Sequence, residues 1–374
     1  MRDIDFEKIT KYLDTLVDEK GVPSVDLIIN RDHKQLYRHM KGTSDIDKII
    51  PVASDQRYLM FSMTKVITMT AVMQLVESGR LSLDDEVGKY LPAYKDLSVE
   101  GKEGKYNIQM KHLVSMQSGL DYDLERPGIM RVRKEKGMAA GTRELVDSFA
   151  ETPLKFIPGT HFLYSLSHDV AAAVIEVVSG MKFSDYLRKN IWEPVGMKDT
   201  FFCKPQNDDM ERLAQQYICK EDGSIVPMDQ SCSYQLTDSY ESGGAGLASC
   251  TEDYAKLADT LACGGITAEG VRILKAESVE QIKVNLLTGE DSLHDLQYGM
   301  GRAGYGYGIG MQVLIDPEKA GAAAPKGVFG WDGAAGSCIT MDTASKTSFV
   351  YTQHVRNMGM VYGVIHPALR DMIL

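Results

Sequence analysis

Strand-forming segments occupy the two ends of this chain, and a long helix-rich stretch separates them. That layout limits the fold more than any other feature of the sequence. Near the start, Val25 to Ile29 and Gln35 to His39 have the pattern of short strands, joined by the polar turn Asn30-Arg31-Asp32-His33. Near the end, Gly308 to Ile315, Gly336 to Met341 and Ser348 to His354 read the same way. From Leu83 to about Ser239 the pattern is mostly helical, punctuated at Pro92, Pro127-Gly128, Pro158-Gly159, Pro194 and Pro205. Strands at both ends with helices between them predict a sheet domain built from both termini, 1–85 and 240–374, with a helical region inserted at 86–239.

Helices frame the strands. Ile4, Phe6, Ile9, Leu13, Leu16 and Val17 recur at helical spacing until Gly21-Val22-Pro23 ends the run. A second run from Ser62 to Glu77 carries Val66, Ile67, Met69, Met73, Leu75 and Val76 and stops at Ser78-Gly79. Glu252 to Cys263 and His366 to Leu374 read as two more helices.

With 374 residues, 44% of them hydrophobic, the chain can bury one large core or two intimate ones. A net charge of -11 with scattered basic residues argues against nucleic-acid or anionic-membrane partners. No window approaches the roughly 20 apolar residues of a membrane span. The opening Met1-Arg2-Asp3-Ile4-Asp5-Phe6-Glu7-Lys8 lacks the apolar stretch of a signal peptide, so a soluble cytoplasmic protein is expected. Six cysteines, Cys203, Cys219, Cys232, Cys250, Cys263 and Cys338, stand far apart with no zinc-type spacing. Free thiols, and neither metal nor cofactor, are expected.

The second helix begins with Phe61-Ser62-Met63-Thr64-Lys65, which places a hydroxyl and an amine three positions apart, on one face of the first turn. Serine is a poor nucleophile without a neighbouring base, and lysine serves as that base only where burial favours its neutral form. The apolar residues that follow supply such surroundings. The helix N-terminus adds backbone N–H groups suited to a developing negative charge. The tetrapeptide alone has a plainer reading as a helix cap. It recurs at Ser179-Gly180-Met181-Lys182, where serine-glycine reads as a helix end.

Ser62-Met63-Thr64-Lys65, set between Tyr58-Leu59-Met60 and Val66-Ile67-Thr68-Met69-Thr70, resembles the nucleophile helix of the superfamily of penicillin-binding proteins and class C β-lactamases. Further matches follow at Gly79-Arg80-Leu81-Ser82-Leu83-Asp84-Asp85, Ser118-Gly119-Leu120, Pro158-Gly159, Pro194-Val195-Gly196-Met197-Lys198-Asp199-Thr200 and Gly243-Gly244-Ala245-Gly246-Leu247. The resemblance implies an α/β (α+β) fold, an antiparallel sheet flanked by helices plus an inserted all-helical domain, with the active site between them. It makes Ser62 the nucleophile and Lys65 its base.

The superfamily's second motif is a tyrosine followed two positions later by asparagine. Tyr164-Ser165-Leu166 keeps the tyrosine and puts Leu166 in the asparagine position. Tyr164 is then either a proton-transfer group with a depressed pKa or a half-buried aromatic whose hydroxyl is merely satisfied. Losing the asparagine removes an amide that the β-lactamases use on their substrates. The run Tyr164-Ser165-Leu166-Ser167-His168-Asp169-Val170 is similar to the β-lactamase-like esterases of family VIII. The third motif, lysine-threonine-glycine, corresponds to Trp331-Asp332-Gly333, so a flat apolar surface replaces a cation. Those esterases carry tryptophan-glycine-glycine, which Trp331 and Gly333 match and Asp332 does not. Asp332 is either a surface-turn residue or a charge that biases the pocket toward neutral or cationic substrates. The resemblance also implies backbone N–H donors from Ser62 and Ala334 as the oxyanion hole.

The expected activity is cleavage of a small carboxylic ester through an acyl-enzyme on Ser62, with Trp331, Asp332, Gly333 and Leu166 near the substrate. A transacylase would use the same residues. A β-lactamase or D-peptide hydrolase is disfavoured by the missing asparagine and lysine, and a silent ligand-binding module by the intact Ser62, Lys65 and Tyr164. The glycine-rich Gly301 to Gly310 precedes a strand and is no nucleotide loop. His168, His294 and His354 are left as polar contacts without an assigned role.

Overall fold

A computed structural model describes residues 3–203, 212–229 and 234–374. The expectations that involve Met1, Arg2, Pro205 and Cys232 fall outside these residues. The centre is a seven-stranded antiparallel sheet made of β1 (Ser24–Arg31), β2 (Lys34–Gly42), β3 (Tyr305–Tyr307), β4 (Gln312–Leu314), β5 (Phe329–Asp332), β6 (Cys338–Asp342) and β7 (Thr347–Thr352). Their spatial order is β3-β4-β5-β6-β7-β1-β2, so the N-terminal hairpin adds to the edge of a C-terminal meander. The junction is the β1–β7 ladder, from Asp26 opposite Thr352 to Arg31 opposite Thr347. Both central residues of the β1–β2 turn, Asp32 (φ 47°) and His33 (φ 66°), are left-handed, the geometry that matches strand twist in a two-residue hairpin.

Alternation along the central strands divides the core between the two faces. Val25, Leu27 and Ile29 of β1, with Phe349 and Tyr351 of β7, pack against α1 (Phe6–Asp18) and the C-terminal helix. Ile28 and Val350 point the other way into a larger cluster with Leu257 and Leu261. Helix α2 (Thr64–Glu77) runs through that cluster and is buried on almost every side, from Thr64 to Met73. Against it packs α3 (Ser167–Ser179), while α4 (Thr251–Ala262) lies along β1, β6 and β7. The last helix, α5, spans His366–Ile373.

The region between 86 and 239 is less purely helical than its sequence suggests. It holds a small hairpin, Leu97–Val99 with Lys102–Tyr106, and short strands at Phe201–Phe202, Tyr217–Cys219 and Ile225–Pro227. Three-residue strands bury too few positions to produce a readable alternation. No helix among the described residues is long and apolar enough to cross a membrane.

Candidate active site

Ser62 stands at a sharp change of direction. The short strand Arg57–Leu59 pairs with Leu247–Cys250 and delivers the chain to a single 3-10 turn, Phe61–Met63, which runs straight into α2. Phe61 takes a left-handed backbone (φ 45°), a conformation that costs a non-glycine residue about 1 kcal/mol or more. Complete burial of its ring, edge-on to Tyr234, holds it there. The next residue, Ser62, is half-buried and borders a cleft.

One turn on, Lys65 is fully buried. Its Nζ lies 3.3 Å from Ser62 Oγ, donates to Gly244 O at 2.7 Å and approaches Tyr122 OH at 3.5 Å. Burial lowers its pKa from 10.5 to about 7, partly offset by the negative charges of Asp169 and Asp332. Burial therefore favours the neutral amine, the form that a general base requires. Asp169, from the first turn of α3, is held by Tyr240 and Ser242, each donating to Oδ1 at 2.6 Å. Gly244 keeps the space between these groups open. A Cβ there would come 2.6 Å from Asp169 Oδ2 and 3.3 Å from Lys65 Nζ.

Tyr164 lines the cleft together with Ser62, and its ring centroid lies 4.5 Å from Lys65 Nζ. Trp331 Nε1 donates to its hydroxyl at 3.0 Å, which occupies an acceptor position and leaves the phenol proton for Ser62. The depressed pKa expected of this tyrosine is not found. Burial raises it well above the usual phenol range, so Tyr164 stays protonated and has a proton to donate.

The cleft has a volume of about 540 Å³. Ser62, Tyr164, Trp331, Asp332 and Ala334 all line it. Neither the Ser62 nor the Ala334 backbone N–H has a partner among the described residues, so both are free to hold a carbonyl oxygen. Trp331 is packed between Tyr164 and Tyr307, with ring centroids 5.5 and 5.0 Å away. Asp332 is no surface-turn residue. It ends β5 nearly buried and pairs with Arg302 at 2.5 Å, because a carboxylate at that depth needs a counter-ion. Gly333 lies behind the lining, where a Cβ would meet Met60 O at 2.4 Å and where its carbonyl accepts from Tyr362 at 2.9 Å. Leu166 belongs to the core at the start of α3, not to the lining.

Several residues of the site were not singled out by sequence: Tyr122, Tyr234, Met300, Arg302, Tyr362 and the charge of Asp169. They come from five separate segments; Asp169 lies inside the run around Tyr164 and Arg302 inside the glycine-rich run from Gly301, while Tyr234 and Tyr362 gave no signal. Ser179 does end its helix: Gly180 is left-handed (φ 71°), and Lys182 pairs with Glu241. His354 is structural, with Nδ1 on Ala214 O at 2.8 Å and Nε2 accepting from Leu59 N–H at 3.3 Å.

Known proteins resemble this chain along most of its length. Esterase EstB from Burkholderia gladioli is 28% identical, an alignment covering 99% of this chain and 96% of that protein. Acyltransferase calJ from Penicillium decumbens is also 28% identical, over 85% of this chain and 82% of its own. Among solved structures, EstCE1, described as a hydrolase with promiscuous acyltransferase activity, superposes with a TM-score of 0.82 at 24% identity, covering 98% of this chain and 97% of that one. The profile of the Beta-lactamase family matches residues 9–361, and the chain belongs to that family.

Proposed function

We propose that this protein cleaves carboxylic esters of neutral acids through an acyl-enzyme on Ser62. The observation that carries the reading is a buried Lys65 amine with its pKa near 7, placed 3.3 Å from a serine hydroxyl at the wall of an aromatic cleft. Neutral Lys65 takes the Ser62 proton as Oγ attacks the carbonyl carbon. The Ser62 and Ala334 N–H groups hold the oxyanion, and collapse breaks the bond to the alcohol. Tyr164 gives its proton to the departing alkoxide and regains one from the Lys65 ammonium. Water then attacks the acyl carbonyl carbon and loses its proton to Lys65, the bond to Ser62 Oγ breaks, and that proton returns to Oγ as the acid leaves.

The pairing of Arg302 with Asp332 supports a neutral substrate. Where a lysine would hold a substrate carboxylate, this cleft has Trp331, and its arginine is already neutralised. The kinship to EstB favours ester hydrolysis, and the kinship to calJ favours transfer of the acyl group to another acceptor, with every step up to the acyl-enzyme unchanged.

The test compares p-nitrophenyl butyrate turnover by wild type and Ser62→Ala, with and without a primary alcohol. Loss of at least about 10³-fold in the variant is expected. Equal rates would remove Ser62 from the mechanism. Butyrate ester formed in place of butyric acid would identify the acceptor as the alcohol.

A further inference from the structure

Far from the cleft, the β1–β2 turn meets the end of α4. Strand pairing puts the two places at opposite ends of the sheet: Asp332 lies opposite Cys338 at one end, Arg31 opposite Thr347 at the other. Asp259, in the last turn of α4, and Cys263, its C-terminal cap, are four residues apart and share a face. His33 reaches them from the hairpin. Its backbone N–H donates to Asp259 Oδ1 at 3.1 Å, its Nδ1 is 2.8 Å from Asp259 Oδ2, and Cys263 Sγ is 3.8 Å from Oδ1. One nitrogen, one oxygen and one sulfur atom thus lie within 4.8 Å of one another.

The charge balance at this corner is unusual. The Asp259 side chain is only 8% exposed, yet no lysine or arginine pairs with it among the described residues. Lys346, on the adjoining turn, is engaged by Asp32 at 2.9 Å. The carbonyl groups ending α4 add partial negative charge to the same corner. A buried carboxylate without a firm counter-ion is costly, and the corner favours a cation.

We infer that His33, Asp259 and Cys263 form a site for a thiophilic divalent cation of the zinc class, with water in the fourth position through the exposed side of His33. Bonds of about 2.0–2.3 Å in a tetrahedron put ligand atoms about 3–4 Å apart, close to the separations already present. Thiolate with imidazole selects zinc or cadmium over calcium or magnesium. Binding releases the thiol proton to solvent, and the imidazole coordinates through Nδ1 with its proton on Nε2. The ion pins the hairpin to α4 and stabilises only the folded chain. Sequence spacing gives no hint of the site, since His33 and Asp259 are 226 residues apart.

The experiment titrates reduced, metal-stripped protein with cadmium. Expected are one equivalent bound, an ultraviolet charge-transfer band of a single thiolate, and a higher unfolding temperature. Cys263→Ser should lose the band, and His33→Gln should weaken binding by at least about tenfold. Cys219→Ser, a control thiol, should bind as wild type does. Esterase activity of each variant reports that it is folded and is expected to be unchanged, so failure here leaves the Ser62 reading intact. Absence of saturable binding by wild type, or a band that survives Cys263→Ser, would overturn the inference.

Discussion

A lysine in water stays protonated until about pH 10.4 and offers no lone pair to a serine. In this site burial moves that transition to about 7, and in the proposed mechanism the deprotonated form is the active one. Activity should therefore be lost as pH falls through about 7 and level off above it. Because the Asp169 charge works against the depression, Asp169→Asn should move the acid limb of a kcat/KM profile to lower pH; a limb that stays fixed or moves upward would contradict the assignment. Asparagine keeps an oxygen for Tyr240 and Ser242, so the comparison isolates the charge. A second residue-scale prediction concerns Asp332→Asn. Freed of its partner, Arg302 should raise turnover of a monosuccinate ester relative to the butyrate ester, read as a ratio of kcat/KM values. The variant should also lose about 3–5 kcal/mol of stability, because it leaves one buried charge unpaired. The nearness of Ser62 and Lys65 was legible in sequence because three positions make one helical turn, and Tyr164 was singled out only through a resembled motif. Arg302 was not, since its meaning depends on a residue thirty positions away across the sheet.

Among the elements, the 3-10 turn before α2 and the end of β5 must meet closely, and Gly333 permits it. Adding a methyl there, in Gly333→Ala, would press on Met60 O, one residue from the strained Phe61 and two from Ser62. A displacement of about 1 Å at the nucleophile is expected to lower kcat about 10²-fold with little change in KM, measured on the butyrate ester. A rise in KM at unchanged kcat would show that the glycine serves binding instead. Sequence located α1, α2, α4, α5 and the longer strands β1, β2, β6 and β7, where enough residues let the period show, but its Gly308 to Ile315 covers only β4, and it gave no strand at β3 or β5. It missed Arg57–Leu59 and Leu247–Cys250, the pair that aims the nucleophile turn. Short buried strands look like any apolar segment, and only their ladder distinguishes them.

Across the whole molecule, β1 lies between β2 and β7 and shares its two faces with two separate clusters, so the ladder from Asp26 to Arg31 ties one end of the chain to the other. A chain stopped at residue 346 lacks β7 and should show no cooperative urea transition, whereas a cooperative one would mean that the helices can fold without a closed sheet. During synthesis the same ladder has a temporal consequence. Ribosomes make the β1–β2 hairpin long before its hydrogen-bonding partner, Thr347–Thr352, since Arg31 and Thr347 are 316 positions apart. Until then β1 presents an unpaired apolar edge, which is a template for association with neighbouring chains. Nascent copies of this protein are therefore expected to depend on chaperones until β7 emerges and to complete their fold only then.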